Sequence, residues 1–189
     1  GSSLLFYAGW ELIIVGLLCV LFAFLYTTGP YPLSYNGWGD ILVIVFFGFV
    51  PVGGTYYVQA LTWTTDTTIA SLICGLLIDT LLVVNNYRDR EADARSGKRT
   101  VIVRFGEKFG SYLYLMLGMT ASLLCFWFLF EGHLYAALLP LLYLIPHFLT
   151  WKRMVRIHSG KKLNSILGET SRNMLLMGIL LSIGFLIRH

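Results

Sequence analysis

Of the chain's 189 residues, 57% are hydrophobic and 13% are charged, with a formal net charge of +4. A water-soluble domain is nearer half apolar and about a quarter charged, so this composition excludes an ordinary soluble fold and points to an integral membrane protein with a lipid bilayer, and no nucleic acid, as its partner. Cys19, Cys74 and Cys125 all fall inside apolar runs, which excludes a disulfide framework.

Long apolar runs without dyad alternation predict an all-α polytopic bundle rather than a barrel. Six spans are expected, at residues 4–26, 41–60, 68–84, 112–130, 134–151 and 168–187. Each approaches the length that crosses hydrocarbon at about 1.5 Å per residue. The first run is apolar on nearly every side, with Glu11 its one charge, read as structural or cavity-lining. Pro30, Pro32, Gly37 and Gly39 break the chain before the second span, and Asp40 stands where its N-cap would be. Pro51, Gly53 and Gly54 interrupt that span and predict a kink or a close helix contact. Tyr56, Tyr57 and Gln59 follow, offering aromatic faces to a cation or forming an interfacial belt. Asp66 is placed as the third N-cap. Asp79 lies within the third span, where a carboxylate costs about 2.5–3.5 kcal/mol, so a polar interior is expected around it. It lies two turns before Asn86 and shares its face, in a functional role or a helix–helix hydrogen bond. His147, beside Pro146, reads as a packing residue.

Lysine and arginine are unevenly placed. Seven of the 14 lie between Asn85 and Lys108 and five more between Lys152 and Lys162, while residues 61–67 and 131–133 carry none. The positive-inside rule puts both basic loops in the cytoplasm, together with residues 27–40, and the chain's first and last residues outside. The basic run 151–162 reads as topogenic and in contact with lipid headgroups.

The stretch NNYRDREADARSGKRTVIVRFG, residues 85–106, holds nine charges in 22 residues. Asn85, Asp89 and Asp93 recur every four residues, one stripe on a helix leaving the third span. Two carboxylates and a carboxamide on one face suit a hard cation such as Mg²⁺, which keeps water and substrate phosphate as its other ligands. Lys98, Arg99 and Arg104 can neutralise phosphate oxygens. Acids, cations and a membrane surface together describe a site for a lipid diphosphate. The competing reading is a solvated topogenic loop, although such a loop needs only lysine and arginine. The spacing is not that of a Walker phosphate loop, a zinc site or an EF-hand.

The stretch closely resembles the second Asp-rich motif of the UbiA superfamily of intramembrane prenyltransferases. The branch it most resembles prenylates 1,4-dihydroxy-2-naphthoate in menaquinone synthesis, with the motif N-N-x-R-D-x-x-x-D-x-x-x-G-K-x-T. Asn85, Asn86, Arg88, Asp89, Asp93, Gly97, Lys98 and Thr100 occupy those places, followed by Arg104 and Gly106. Residues 26–40 and 46–59 also look like segments of that branch, whereas the Y-A-x-x-D motif of the 4-hydroxybenzoate branch is absent. The resemblance implies one transmembrane domain over residues 1–189 in a bacterial inner membrane, its active-site loops facing the cytoplasm. It implies Mg²⁺-dependent transfer of a polyprenyl chain from polyprenyl diphosphate to the naphthoate, releasing CO₂ and diphosphate. Asp89, Asp93 and Asn85 would bind metal, with Asp89, Asp93 and Lys98 in the catalytic roles. Asn85, Asn86, Arg88, Arg104, Tyr56, Gln59 and Asp79 would bind substrate. Another aromatic acceptor within the family, or a non-catalytic transporter or lipid-binding subunit, are the alternatives. The family also has an earlier Asp-rich motif and about nine spans. Here Asn36 and Asp40 make half of that motif, with Ile44 where the second Asp belongs. The six spans therefore align with the last six, and the chain is expected to be a C-terminal two-thirds, inactive without an upstream segment.

Overall fold

The structure, a computed structural model, describes residues 9–187. Six helices follow one another: α1 (Glu11–Thr27), α2 (Gly39–Ala60), α3 (Thr65–Arg95), α4 (Val101–Phe130), α5 (Leu134–Ile157) and α6 (Lys161–Leu186). Helices α2 to α6 are each long and apolar enough to cross a membrane, and α1 is a shorter apolar helix of 17 residues. The start of the first expected span, residues 4–8, lies outside the described residues. No strand occurs among the described residues, in keeping with the need of a backbone in lipid to satisfy itself locally.

Helix α3 is the axis of the bundle. Its apolar stretch buries Ile73, Leu76, Leu77, Val83 and Val84 on several faces, packed against α2, α4 and α6. Across from it, α2 widens into a π-helical segment at Ile44–Gly53 that contains Pro51. Proline removes one amide donor and crowds the preceding turn, and the wider i→i+5 spiral accommodates both. The close contact expected near residues 51–54 falls one turn earlier, at Gly48. A methyl group there would lie 2.8 Å from Gly75 Cα and 2.5 Å from the Ser71 carbonyl oxygen. Only glycine lets the two backbones approach this closely.

The expected aspartate N-caps are corrected. Thr64 caps α3, its hydroxyl accepting the Thr67 amide at 3.1 Å, because its backbone is the extended residue (φ −115°, ψ 165°) from which the helix starts. Asp66 lies inside the first turn and accepts the Trp127 indole N–H at 2.8 Å instead. Asp40 likewise lies in the first turn of α2, with Trp38 at the cap position. His147 is the packing residue expected: it is buried, bonded to the Tyr143 hydroxyl at 2.9 Å, and stacked on Tyr114.

Candidate active site

The motif at the end of α3 resolves into separate physical jobs. Asn85, Asp89 and Asp93 follow one face of the helix. Gly97 then adopts φ +79°, the left-handed conformation that ends a helix without a Cβ penalty. The turn is closed by the Lys98 amide donating to the Asp93 carbonyl at 2.9 Å and the Gly97 amide to Ala94 at 3.2 Å. The chain doubles back, and Lys98 Nζ comes to 3.0 Å from Asp93 Oδ1 and 5.3 Å from the Tyr35 ring. That hydrogen bond to Asp93 holds the Lys98 ammonium above its ordinary range, so it stays charged at neutral pH. Thr100 caps α4, accepting the Val103 amide at 3.3 Å.

Arg88 gathers the outer face of the motif. Its guanidinium donates to both Asp89 oxygens, Nε at 2.7 Å and Nη2 at 2.6 Å, in the bidentate geometry that suits a planar fork. The same group donates to Asn85 Oδ1 at 2.7 Å and, across to α6, to Asn164 Oδ1 at 2.9 Å. Both carboxylates thus carry a cationic partner, and both partners remain partly exposed.

Inside this rim lies a polar cavity of about 360 Å³, with Tyr26, Asp40, Asn85, Asn86, Lys98 and Thr100 in its lining. Its outer wall is the loop 31–37, folded onto the motif. The Arg99 amide donates to the Tyr35 carbonyl at 2.7 Å, and Arg104 Nη2 donates to the Asn36 carbonyl at 2.7 Å. Beside the cavity an apolar groove of about 490 Å³ runs past Phe47, Ile78 and Leu81, with Asn85 in its wall. A further groove between α3 and α6 passes Cys74, Leu77 and Met174.

The structure brings together Asn85, Asn86, Arg88, Asp89, Asp93 and Lys98. Arg104 is close by, its guanidinium donating to the Asn36 carbonyl of the loop wall. Tyr56 and Gln59 are not part of this cluster. Tyr56 shares a recess with Asp66 and Thr67 at the beginning of α3, and Gln59 bonds back to Thr55 at 3.1 Å. With about 1.5 Å of rise per residue, the beginning of α3 lies roughly 35 Å from Asp89, so these two side chains lie toward the opposite end of the bundle. Asp79 is buried within α3 and does not line the cavity, and its Oδ1 has no hydrogen-bond partner among the described residues. Glu11 is exposed at the start of α1. No group of three or more His, Cys, Asp or Glu side chains able to hold a metal occurs among the described residues. Two carboxylates and a carboxamide do fit Mg²⁺, which is commonly held by one or two carboxylates with substrate phosphate and water.

Sequence reasoning missed two parts of the site. Asp40 and Tyr26 line the cavity, although span counting had already put residues 27–40 on the motif's side. Glu107 also accepts the Tyr87 hydroxyl at 2.7 Å, pairs with Arg90 at 3.0 Å and contacts His158, tying α3 to α4 and to the basic loop. These partners lie 17 to 51 residues from Glu107, so no local pattern reveals them.

Comparison with known proteins agrees with this geometry. A model described as the UbiA prenyltransferase family matches residues 1–184. The chain is 35% identical to the 1,4-dihydroxy-2-naphthoate octaprenyltransferase of Haemophilus influenzae over 195 residues, covering 98% of the chain and 59% of that relative. Its counterpart in Mycobacterium tuberculosis is 43% identical over 119 residues, covering 63% of the chain and 40% of that relative. The UbiA prenyltransferase domain-containing protein 1 of Dictyostelium discoideum is 30% identical, covering 86% of the chain and 48% of its own length. The chain therefore spans less than two-thirds of the length of these relatives. No solved structure matches. With the family model matched over residues 1–184, and Asn85, Asn86, Lys98 and Thr100 of the motif lining one cavity, the chain belongs to the UbiA prenyltransferase family.

Proposed function

We propose that the whole protein transfers a polyprenyl chain from polyprenyl diphosphate to 1,4-dihydroxy-2-naphthoate, giving the reduced, hydroquinone form of demethylmenaquinone (demethylmenaquinol), CO₂ and diphosphate, at the cytoplasmic face of a bacterial inner membrane. The observation that supports this reading is a polar cavity lined by Asn85, Asn86 and Lys98, with Asp93 paired to that Lys98, beside an apolar groove that shares Asn85. A diphosphate headgroup and a hydrocarbon chain need that pair of environments side by side. The printed names of the relatives favour the naphthoate over other aromatic acceptors. The two basic loops favour the cytoplasmic side.

Asp89, Asp93 and Asn85 would hold Mg²⁺, which when bound neutralises charge on the departing diphosphate. Arg88 and Lys98 stand beside the carboxylates and can turn to phosphate oxygens, Arg88 with a bidentate fork and Lys98 as a point charge. Asn85 and Asn86 supply amide contacts at the cavity edge. The apolar groove takes the prenyl chain and excludes water from the allylic cation, which water would otherwise quench. The electron-rich ring carbon bearing the carboxylate captures that cation, and loss of CO₂ restores the ring.

The test is substitution in the whole protein. Asp89→Asn and Asp93→Asn should each lower turnover by at least about 100-fold, the scale of losing a charge-stabilising group, while membrane insertion is unchanged. Near-normal turnover of either variant at limiting Mg²⁺ removes the carboxylates from the mechanism.

A further inference from the structure

The partners of Arg88 are of two kinds. Nε donates to Asp89 Oδ1 at 2.7 Å and Nη2 to Asp89 Oδ2 at 2.6 Å, and Nη2 also donates to Asn85 Oδ1 at 2.7 Å. These three oxygens belong to residues that the transferase reading gives to Mg²⁺. The fourth partner is Asn164 Oδ1, which accepts from Nη1 at 2.9 Å. Asn164 stands on α6, 76 residues along the chain, and has no place in that metal set. A divalent cation seated on Asp89 and Asn85 competes for the oxygens that hold the guanidinium, and repels it as a like charge. Arg88 then keeps one partner, the Asn164 carboxamide. A neutral acceptor suits that position, because a carboxylate there would tie up the positive charge that a phosphate needs. Without Asn164 a long side chain, already 24% exposed, turns into water, and ordering it again costs rotamer entropy.

The fold fixes where Asn164 stands. Its own side chain is exposed, but Leu163 and Ile166 on either side of it are fully buried in the core. The loop that leads to it is fastened to α4 by the contact of His158 with Glu107. Glu107 also holds Arg90 and the Tyr87 hydroxyl of α3, so the beginning of α6 is registered against the motif by a second contact. Building on the transferase reading, we infer that Asn164 is a positioning residue. It holds the Arg88 guanidinium over the motif once Asp89 and Asn85 turn to the cation, which leaves the N–H groups that Asp89 releases for the diphosphate. Asn164 acts through Arg88 and touches neither the cation nor the substrate.

The experiment is a double-mutant cycle on the whole protein in detergent. It measures Mg²⁺-dependent binding of a non-hydrolysable prenyl diphosphate analogue to the wild type, Asn164→Ala, Arg88→Ala and the double variant. Asn164→Ala should weaken binding by about three- to tenfold, the scale of an exposed hydrogen bond to a charged group. The same substitution should change nothing in the Arg88→Ala background, because its effect runs through that guanidinium. In turnover, Asn164→Ala should raise KM for the prenyl diphosphate and leave KM for the aromatic acceptor as it is, a split that a merely structural role does not produce. If the double variant binds too weakly to measure, that split decides. Unchanged affinity in Asn164→Ala, an equal loss in both backgrounds, or an equal rise in both KM values overturns the inference and, with Mg²⁺-dependent binding by the wild type intact, leaves the transferase reading standing. Absence of Mg²⁺-dependent binding by the wild type overturns the transferase reading and the inference with it.

Discussion

Gly48→Ala tests how α2 is set against α3, the contact that brings Asp40 beneath the motif. The added methyl would lie 2.5 Å from the Ser71 carbonyl oxygen, 2.8 Å from Gly75 Cα and 2.9 Å from Gly75 N. Carbon atoms pack comfortably at about 3.5–4.0 Å, so the helices would have to part by roughly 1 Å. All three obstacles are backbone atoms, and no side-chain rotation relieves them. Overpacking of this kind costs about 1–3 kcal/mol, and the upper half of that range applies when backbone must move. Alanine's helix propensity offsets about 1 kcal/mol of it, leaving a net loss of about 1–2 kcal/mol. For a chain of this size that lowers the melting temperature by about 2–8 °C. Gly54→Ala supplies the control, because a methyl there meets nothing within 4 Å. The assay is thermal unfolding of both variants in detergent, followed by size-exclusion chromatography. A Gly48→Ala protein as stable as Gly54→Ala would refute the close packing of α2 on α3.

Other outcomes test the remaining parts of the account. Thr100→Ala should cost about 1 kcal/mol through loss of the α4 cap, and Thr100→Ser should restore most of it, both read from thermal unfolding. Arg104→Ala should speed amide exchange in residues 33–37 and leave affinity for a prenyl diphosphate analogue little changed, since its guanidinium holds the Asn36 carbonyl. A large loss of affinity would return Arg104 to the diphosphate site. Cysteines introduced at Ser96 and Ser159 should be labelled from the cytoplasmic face and one at Gly132 from the other, and labelling of Ser96 and Gly132 from one side would break the topology.

What was legible in the sequence were features set by local period. The apolar spans, the stripe of Asn85, Asp89 and Asp93, and the helix-ending Gly97 all follow from residues a few positions apart. The helix break around Pro51 was legible for the same reason, though the closest approach falls at Gly48, where the partner helix supplies Gly75. The cap of α3 was misassigned because Thr64 and Asp66 are both good capping residues, and only the backbone decides between them. The bond from Arg104 to the Asn36 carbonyl was not legible, because charge alone does not say which carbonyl a guanidinium will reach. Tyr56 and Gln59 were read as cavity-lining or as part of an interfacial belt, and the structure places Tyr56 beside Asp66 and Thr67 at the beginning of α3. The burial of Asp79 comes from packing between helices, which the period of no single helix reveals.

The central claim is that Asp89 and Asp93 bind a lipid diphosphate through a divalent cation. It is tested most directly by titrating the whole protein with a non-hydrolysable prenyl diphosphate analogue, with Mg²⁺ and with EDTA, for the wild type and for Asp89→Asn. The account predicts tight binding by the wild type with Mg²⁺, and weak binding both in EDTA and by Asp89→Asn at any Mg²⁺ concentration. Equal binding by the wild type with and without Mg²⁺, or binding by Asp89→Asn that matches the wild type, would contradict it.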